Sequence, residues 1–216
     1  MTAGLLLSTS GCSLFVMAGK AMFGDPKVQS PLRAATGIEL AKSEDSVLII
    51  CSASHRILSH FPSLQIDLVD RIGRDLEIHN IHVVPSGDVA AWFDDHGEWG
   101  DYSELGEHFH ARYIMHVDVL KFDYRVPESE NLLQGQAEGN IRLHEISRSS
   151  DKSKPSRDFT PVRLVFDRNF AVMFPTSYPV PRESRSEDQF LQTFLDRTAL
   201  HIGQHVYDYR SSESIH

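Results

Sequence analysis

Residues Leu132–Ser147 alternate without a break, and that alternation limits the folds open to the chain. Leu133, Gly135, Ala137, Gly139, Ile141 and Leu143 share one face, while Gln134, Gln136, Glu138, Asn140, Arg142 and His144 share the other. Successive strand side chains point to opposite sides, so this is a half-exposed β-strand with one apolar face. The segment before it, Arg112–Arg125, is apolar on both faces at its start (Tyr113, Ile114, Met115, Val117, Val119) and amphipathic later, which suits a central strand. Pro127–Asn131 supplies a turn between them. The two form a long antiparallel hairpin whose glycine-rich face leaves room for something bulky, most simply a packed helix.

The remaining pattern places other elements around that hairpin. Val47–Cys51 is a short apolar run suited to a buried strand. After a mixed connection over Ser54–Pro62, Ser63–His79 repeats Leu64, Leu68, Ile72 and Leu76 every four residues, an amphipathic helix with Ser63 as a candidate cap. Ile81–Val84 reads as a strand closed by Pro85, and Ser86–Asp95 as a helix interrupted by Gly97 and Gly100. Ser103–Ala111 is a further helical piece. Ser149–Phe159 reads as a polar loop, and Val162–Phe166 and Phe170–Phe174 as strands around an Asp167-Arg168-Asn169 turn. Pro175, Pro179 and Pro181 make an extended stretch before the last helix, Ser186–Tyr209. The expected fold is α/β (α+β): a single mixed sheet over residues 46–210 with helices packed against it, in the order βαβα-βββ(β)-α.

The N-terminus bears on compartment. Leu5-Leu6-Leu7-Ser8-Thr9-Ser10-Gly11-Cys12 is an apolar run ending in small residues and a cysteine, and resembles the end of a bacterial lipoprotein signal peptide. That resemblance implies lipidation at Cys12, a signal and anchor segment over residues 1–23 and a location in the cell envelope facing the periplasm. It departs from the pattern in two places: Met1–Gly4 has no Lys or Arg, and Thr9 stands where an aliphatic residue is preferred. A buried apolar helix carrying Cys12 as a free thiol stays open, as does a single membrane helix. The latter has roughly 15 apolar residues against the ~20 a bilayer needs. Residues 24–45, with Pro26 and Pro31, are expected to be a tether, and residues 211–216 a fraying tail.

Charge narrows the partners. A net charge of −9 argues against nucleic acid, whose binding needs a basic face to neutralise phosphates. With Cys12 lipidated, Cys51 is left as a buried structural thiol, and no CxxC pair supports a zinc or redox site.

The element order behind a candidate lipidated cysteine is similar to the envelope α/β domains of the curli-secretion lipoprotein and TolB N-terminal type, matched at Val47–Cys51, Ser63–His79 and the Arg112–Ser147 hairpin. The stretch Gly11–Lys20 also resembles uncharacterised planctomycete lipoproteins. The resemblance implies an assembly or accessory component acting through another envelope protein, with no catalysis and no cofactor.

Twelve histidines make metal chemistry the rival. Asp95, His96, His108 and His110 offer oxygen and imidazole ligands for a metal-binding protein or metal-dependent hydrolase, although their spacing matches neither His-Glu-x-x-His nor a calcium loop. His201 and His205 lie one helical turn apart and read as structural, and His79 and His82 as surface residues. Ser52 and Ser54 beside His55 lack the Gly-x-Ser-x-Gly elbow of a nucleophile. Trp92, Trp99 and Tyr102 around the acidic loop are the candidate interaction surface, together with the polar face of Leu132–Ser147.

Overall fold

A computed structural model describes residues 25–97, 99–129, 131–147 and 162–213. The candidate signal, Cys12, Glu98 and the Ser149–Phe159 loop lie outside those residues. In chain order the elements are β1 (Lys27–Val28), α1 (Pro31–Thr36), β2 (Val47–Ala53), α2 (His55–Leu58), α3 (Leu64–Ile78), α4 (Ser86–His96), α5 (Tyr102–His108), β3 (Tyr113–Arg125), β4 (Leu132–Ile146), β5 (Val162–Phe174), β6 (Val180–Pro181), α6 (Glu187–Gly203) and β7 (Tyr209–Arg210).

The main sheet runs β2-β3-β4-β5, with β6 continuing along β4 at Leu132 and Leu133. β2 and β3 are parallel and the other pairs antiparallel, so the fold is the expected mixed α/β sheet with helices packed against it. The alternating residues of β4 divide as the sequence implies. Leu133, Ala137, Ile141 and Leu143 are buried in the main core, under α3 and α6. The α3 stripe Leu64, Leu68, Ile72 and Leu76 is wholly buried there, facing Phe190, Phe194, Leu195 and Ile202 of α6. Ser63 does not cap α3; its hydroxyl donates to Asp67 at 2.7 Å instead. Ser186 does cap α6, accepting from the Gln189 N–H at 3.2 Å.

On the opposite face, α4 and α5 cover only one end of the sheet. Val89, Trp92 and Leu105 pack there on Leu48, Ile50, Ile114 and Ile146. A register shift between Val119 and Lys121 turns both Leu120 and Lys121 outward and returns Phe122 to the main core. Without that extra residue Phe122 would fall on the solvent side.

Four expectations need correction. Residues 27–45, read as a tether, belong to the domain. Ser30 caps α1, Pro31 opens it and Gly37 closes it at a positive φ of 76°. Leu32 and Leu40 are buried in the main core, the Leu32 N–H donates to the His205 carbonyl at 2.9 Å, and β1 pairs with β7. The Asp167-Arg168-Asn169 turn is not a turn: all three residues pair with β4 inside one continuous β5. As an edge strand β5 can hold polar residues in water while its ladder overrides their turn preference. Ile81–Val84 amounts to a single parallel bridge, Val47 to Val83. Finally, Ser211–Glu213 do not fray but form a 3₁₀ turn, closed by the Gln204 side chain on the Glu213 carbonyl.

The close approach of α6 to β4 depends on Gly135, where an added Cβ would lie 2.5 Å from the fully buried Phe194 ring. Gly135→Ala should lower stability by about 1–3 kcal/mol through overpacking. Gly87→Ala, which meets nothing within 4 Å, should stay within about 0.5 kcal/mol. Urea unfolding of both variants checks the difference.

Candidate functional site

Along β2, β3 and β4, the face beneath α4 and α5 changes from apolar to polar in a few residues. Register sets Ser52 opposite Asp118, His116 opposite Arg142 and Ile114 opposite His144. Ser52, His116, Asp118, Arg142 and His144 therefore follow Leu48, Ile50, Ile114 and Ile146 on the same side of the sheet. Trp99, in the loop before α5, and Tyr102, its first residue, cover them: the Trp99 ring meets His116 edge-on at 5.6 Å and Tyr102 stacks on His144 at 4.0 Å.

Hydrogen bonds join Tyr102, His116, Ser52, Asp118 and Arg142 into one chain. The Tyr102 hydroxyl lies 2.8 Å from His116 Nδ1, and His116 Nε2 lies 2.8 Å from Ser52 Oγ. Ser52 Oγ donates to Asp118 Oδ1 at 2.8 Å, and Arg142 donates to Asp118 Oδ2 at 3.1 Å. The serine hydroxyl has one hydrogen to donate, and the carboxylate accepts that bond. His116 Nε2 must then donate to Ser52, and Nδ1 must accept from Tyr102. Every bond runs the same way: Tyr102 to His116 to Ser52 to Asp118, with Arg142 closing the far end.

Electrostatics keep the His116 ring in a neutral form, which the direction requires. Burial, with the Arg142 charge beside it, pushes His116 down to about 4, against a weaker opposing pull from Asp118, so the ring is neutral near pH 7. Burial and Arg142 also lower His144, whose Nε2 has no hydrogen-bond partner among the described residues. Burial raises the Tyr102 hydroxyl and keeps it protonated. Cys51, on the opposite face of β2, is pushed up to about 12 by burial and then by Asp118, which makes its thiol unreactive.

In a nucleophilic triad the serine proton goes to the imidazole, and a carboxylate holds the other ring nitrogen. Here the carboxylate holds the serine and a tyrosine holds the ring. The imidazole lone pair is already used, so nothing in the chain draws the serine proton onto His116.

The residues singled out in the sequence fall in different places. Trp92 is not a surface residue: it is 5% exposed, inside the smaller core, because α4 turns it onto Leu48 and Ile50. Trp99 and Tyr102 are half-buried over the polar chain. Asp95, His96, His108 and His110 do not form a ligand set. His96 stacks on Trp92 at 4.6 Å with its Nδ1 on the Trp92 carbonyl, and its ring centroid is 6.3 Å from that of His108. No three His, Cys, Asp or Glu side chains among the described residues gather as metal ligands. His201 and His205 pack edge to face at 5.1 Å, with burial lowering both. His79 is not on open surface but stacks on Tyr207 at 3.6 Å. Ser54 and His55 open α2 and take no part in the chain. Ser52 does meet a histidine, but one 64 residues away. The signal for it was the phase of β3, which sets His116 and Asp118 between the apolar residues of a strand start.

No family model and no curated protein matches the chain. Among solved structures it is similar to the lipoprotein GNA1162 of Neisseria meningitidis, at 10% identity over 72% of this chain and 98% of that one, with a TM-score of 0.41. A PelC dodecamer subunit from Paraburkholderia phytofirmans gives 12% identity over 83% and 95%, with a TM-score of 0.41. The hypothetical protein CT253 of Chlamydia trachomatis gives 14% over 74% and 98%, with a TM-score of 0.38. Likenesses this remote establish no function for the chain.

Two outcomes follow from the polar chain. Tyr102→Phe should cost about 1–3 kcal/mol, because it strips a buried ring nitrogen of its donor and leaves the aromatic packing in place. The second concerns pH. His116 and His201, both near 4 when folded, and His144 and His205, both lowered, bind protons more readily in the unfolded chain. Their contribution is complete above the ordinary value of 6.5 and is lost as pH falls from there toward about 4. Urea midpoints measured across that window should decline, and a flat profile would contradict burial of these rings in neutral form.

Proposed function

We propose that this chain is a lipid-anchored accessory or assembly domain of a bacterial cell envelope, and that it acts through contacts with another envelope protein. The observation that carries the non-catalytic part is the direction of the chain through Ser52. Its most nucleophile-like serine donates a hydrogen bond to a carboxylate and accepts one from a neutral imidazole, an arrangement that stabilises a sheet and does not activate an oxygen.

The anchoring part rests on the Leu5–Cys12 stretch. No helix among the described residues is long and apolar enough to cross a membrane, and a lipid on Cys12 would hold the domain at a bilayer without one. In this reading the membrane partner is the bilayer itself, reached through the lipid, and the domain faces the periplasm. The outer sheet face beyond Asn140, where Leu120 is 58% and Met173 48% exposed, adds surface open to contact.

Intact-mass analysis of the protein extracted from membranes, beside a Cys12→Ala control, tests the anchor. The expected species lacks residues 1–11 and carries a diacylglyceryl group on Cys12, and the control loses the adduct and leaves the membrane fraction. An unmodified chain starting at Met1 in the soluble fraction would overturn the anchor.

A further inference from the structure

The edge of β2 carries backbone groups with no partner among the described residues. Strand geometry sends the N–H and C=O of alternate residues to opposite sides. The Ser46 carbonyl bonds the Arg112 and Tyr113 N–H groups at the start of β3, so Leu48, Ile50 and Ser52 also face β3. Val47 faces the other way: its N–H donates to the His82 carbonyl at 2.8 Å and its carbonyl accepts from the Val84 N–H at 3.0 Å. Ile49 and Cys51 follow Val47 in phase and point outward as well. The segment that bonds Val47 cannot follow them. The next donor in phase would be the Ser86 N–H, and Ser86 already opens α4, so the ladder ends after one bridge.

At Ile49 and Cys51 three edge groups remain, the N–H and C=O of Ile49 and the N–H of Cys51, none with a partner among the described residues. The fourth, the Cys51 carbonyl, accepts from the side-chain amide of Gln65 at 2.9 Å. A side chain there takes the place of the missing strand. Ile49 is 1% exposed, and unpaired backbone groups at such a position are costly.

These groups form the floor of a groove of about 290 Å³ between α3 and α4. Its walls are Ile66 and Val69 of α3 on one side and Ala90 and Phe93 of α4 on the other, with Trp99 at one end and Asp94 on the rim. Ile66 lies off the buried stripe of α3 and is a large apolar side chain left 61% exposed.

We propose that this groove binds an extended segment of a partner protein, which takes up the β2 ladder where Val84 leaves it. The occupant's backbone bonds Ile49 and Cys51, its apolar side chains lie between Ile66 and Phe93, and a Lys or Arg pairs with Asp94. A strand is the only regular element that offers donors and acceptors in the alternation an edge requires. A basic residue suits a rim aspartate on a chain with net charge −9. The inference rests on the reading of the protein as a contact-making domain and names the contact.

The test uses the full chain, labelled for amide hydrogen exchange, with capped heptapeptides of alternating Val and Thr ending in Lys as the probe. In the free protein the Ile49 and Cys51 amides should exchange at least about tenfold faster than those of Leu48 and Ile50, and saturating peptide should slow them by about the same factor. Ala90→Arg, which fills the groove, and Ile66→Asp, at an exposed position, should each abolish the effect while leaving the exchange of β3 unchanged. The proposal is overturned if Ile49 and Cys51 are as protected as Ile50 without peptide. It is equally overturned if no peptide slows them, or if protection appears on β5 instead and survives both variants. The readout does not depend on Cys12, so loss of the anchor and loss of the groove are separate results.

Discussion

The hydrogen-bonded position of β3 between β2 and β4 is the constraint from which the rest of the molecule follows. It fixes which residues of three strands share a face, and therefore which helices can be paired with which side. Val47, Ile49 and Cys51 of β2, Met115 and Val117 of β3, and Ile141 and Leu143 of β4 become one apolar surface, and α3 and α6 close over it. The same register places Ser52, Asp118, His116 and Arg142 within reach of one another. A slip of one residue would put both sets on the wrong side.

The two sheet faces carry different kinds of information. The main core is a large apolar contact in which α3 and α6 pack side by side and are joined at their surface by Arg71 with Asp196 and Gln192. The second face is continuously apolar only where α4 and α5 cover it, and the polar chain through Tyr102, His116, Ser52 and Asp118 marks the boundary of that cover. Buried polar groups are tolerated when each finds a partner, and along this chain each does. Its effect is to fix the position of α5, through Tyr102, over the strands below.

The fold was largely legible in the sequence because long amphipathic elements declare their period. The stripe of α3 and the alternation of β4 needed no tertiary information, and the glycines of β4 signalled the close approach of Phe194. Short elements did not read this way. The helix over Pro31–Thr36 carries all its capping signals, Ser30, Pro31 and Gly37, but Pro26, Pro31 and the polar residues of the surrounding segment suggested a linker. What holds it is distant: Leu32 against the main core, and Asp208, which binds Ser30 and Arg33 from the far end of the chain. The polar chain was only half legible. Ser52 was visible as a strand-end serine, but its partners come from β3, β4 and α5, and no local spacing joins them. Trp92 was misplaced because an aromatic residue near acidic neighbours carries no mark of which way its helix faces.

The claim that this domain works by contact and not by catalysis turns on one proton. Nitrogen-15 NMR of the His116 imidazole near neutral pH reads it directly, since the two neutral tautomers differ in which ring nitrogen carries hydrogen. The account predicts a protonated Nε2 bonded to Ser52 and an unprotonated Nδ1 accepting from Tyr102. An unprotonated Nε2 facing Ser52, with hydrogen on Nδ1, would reverse the chain and give the serine a base. It would contradict the account.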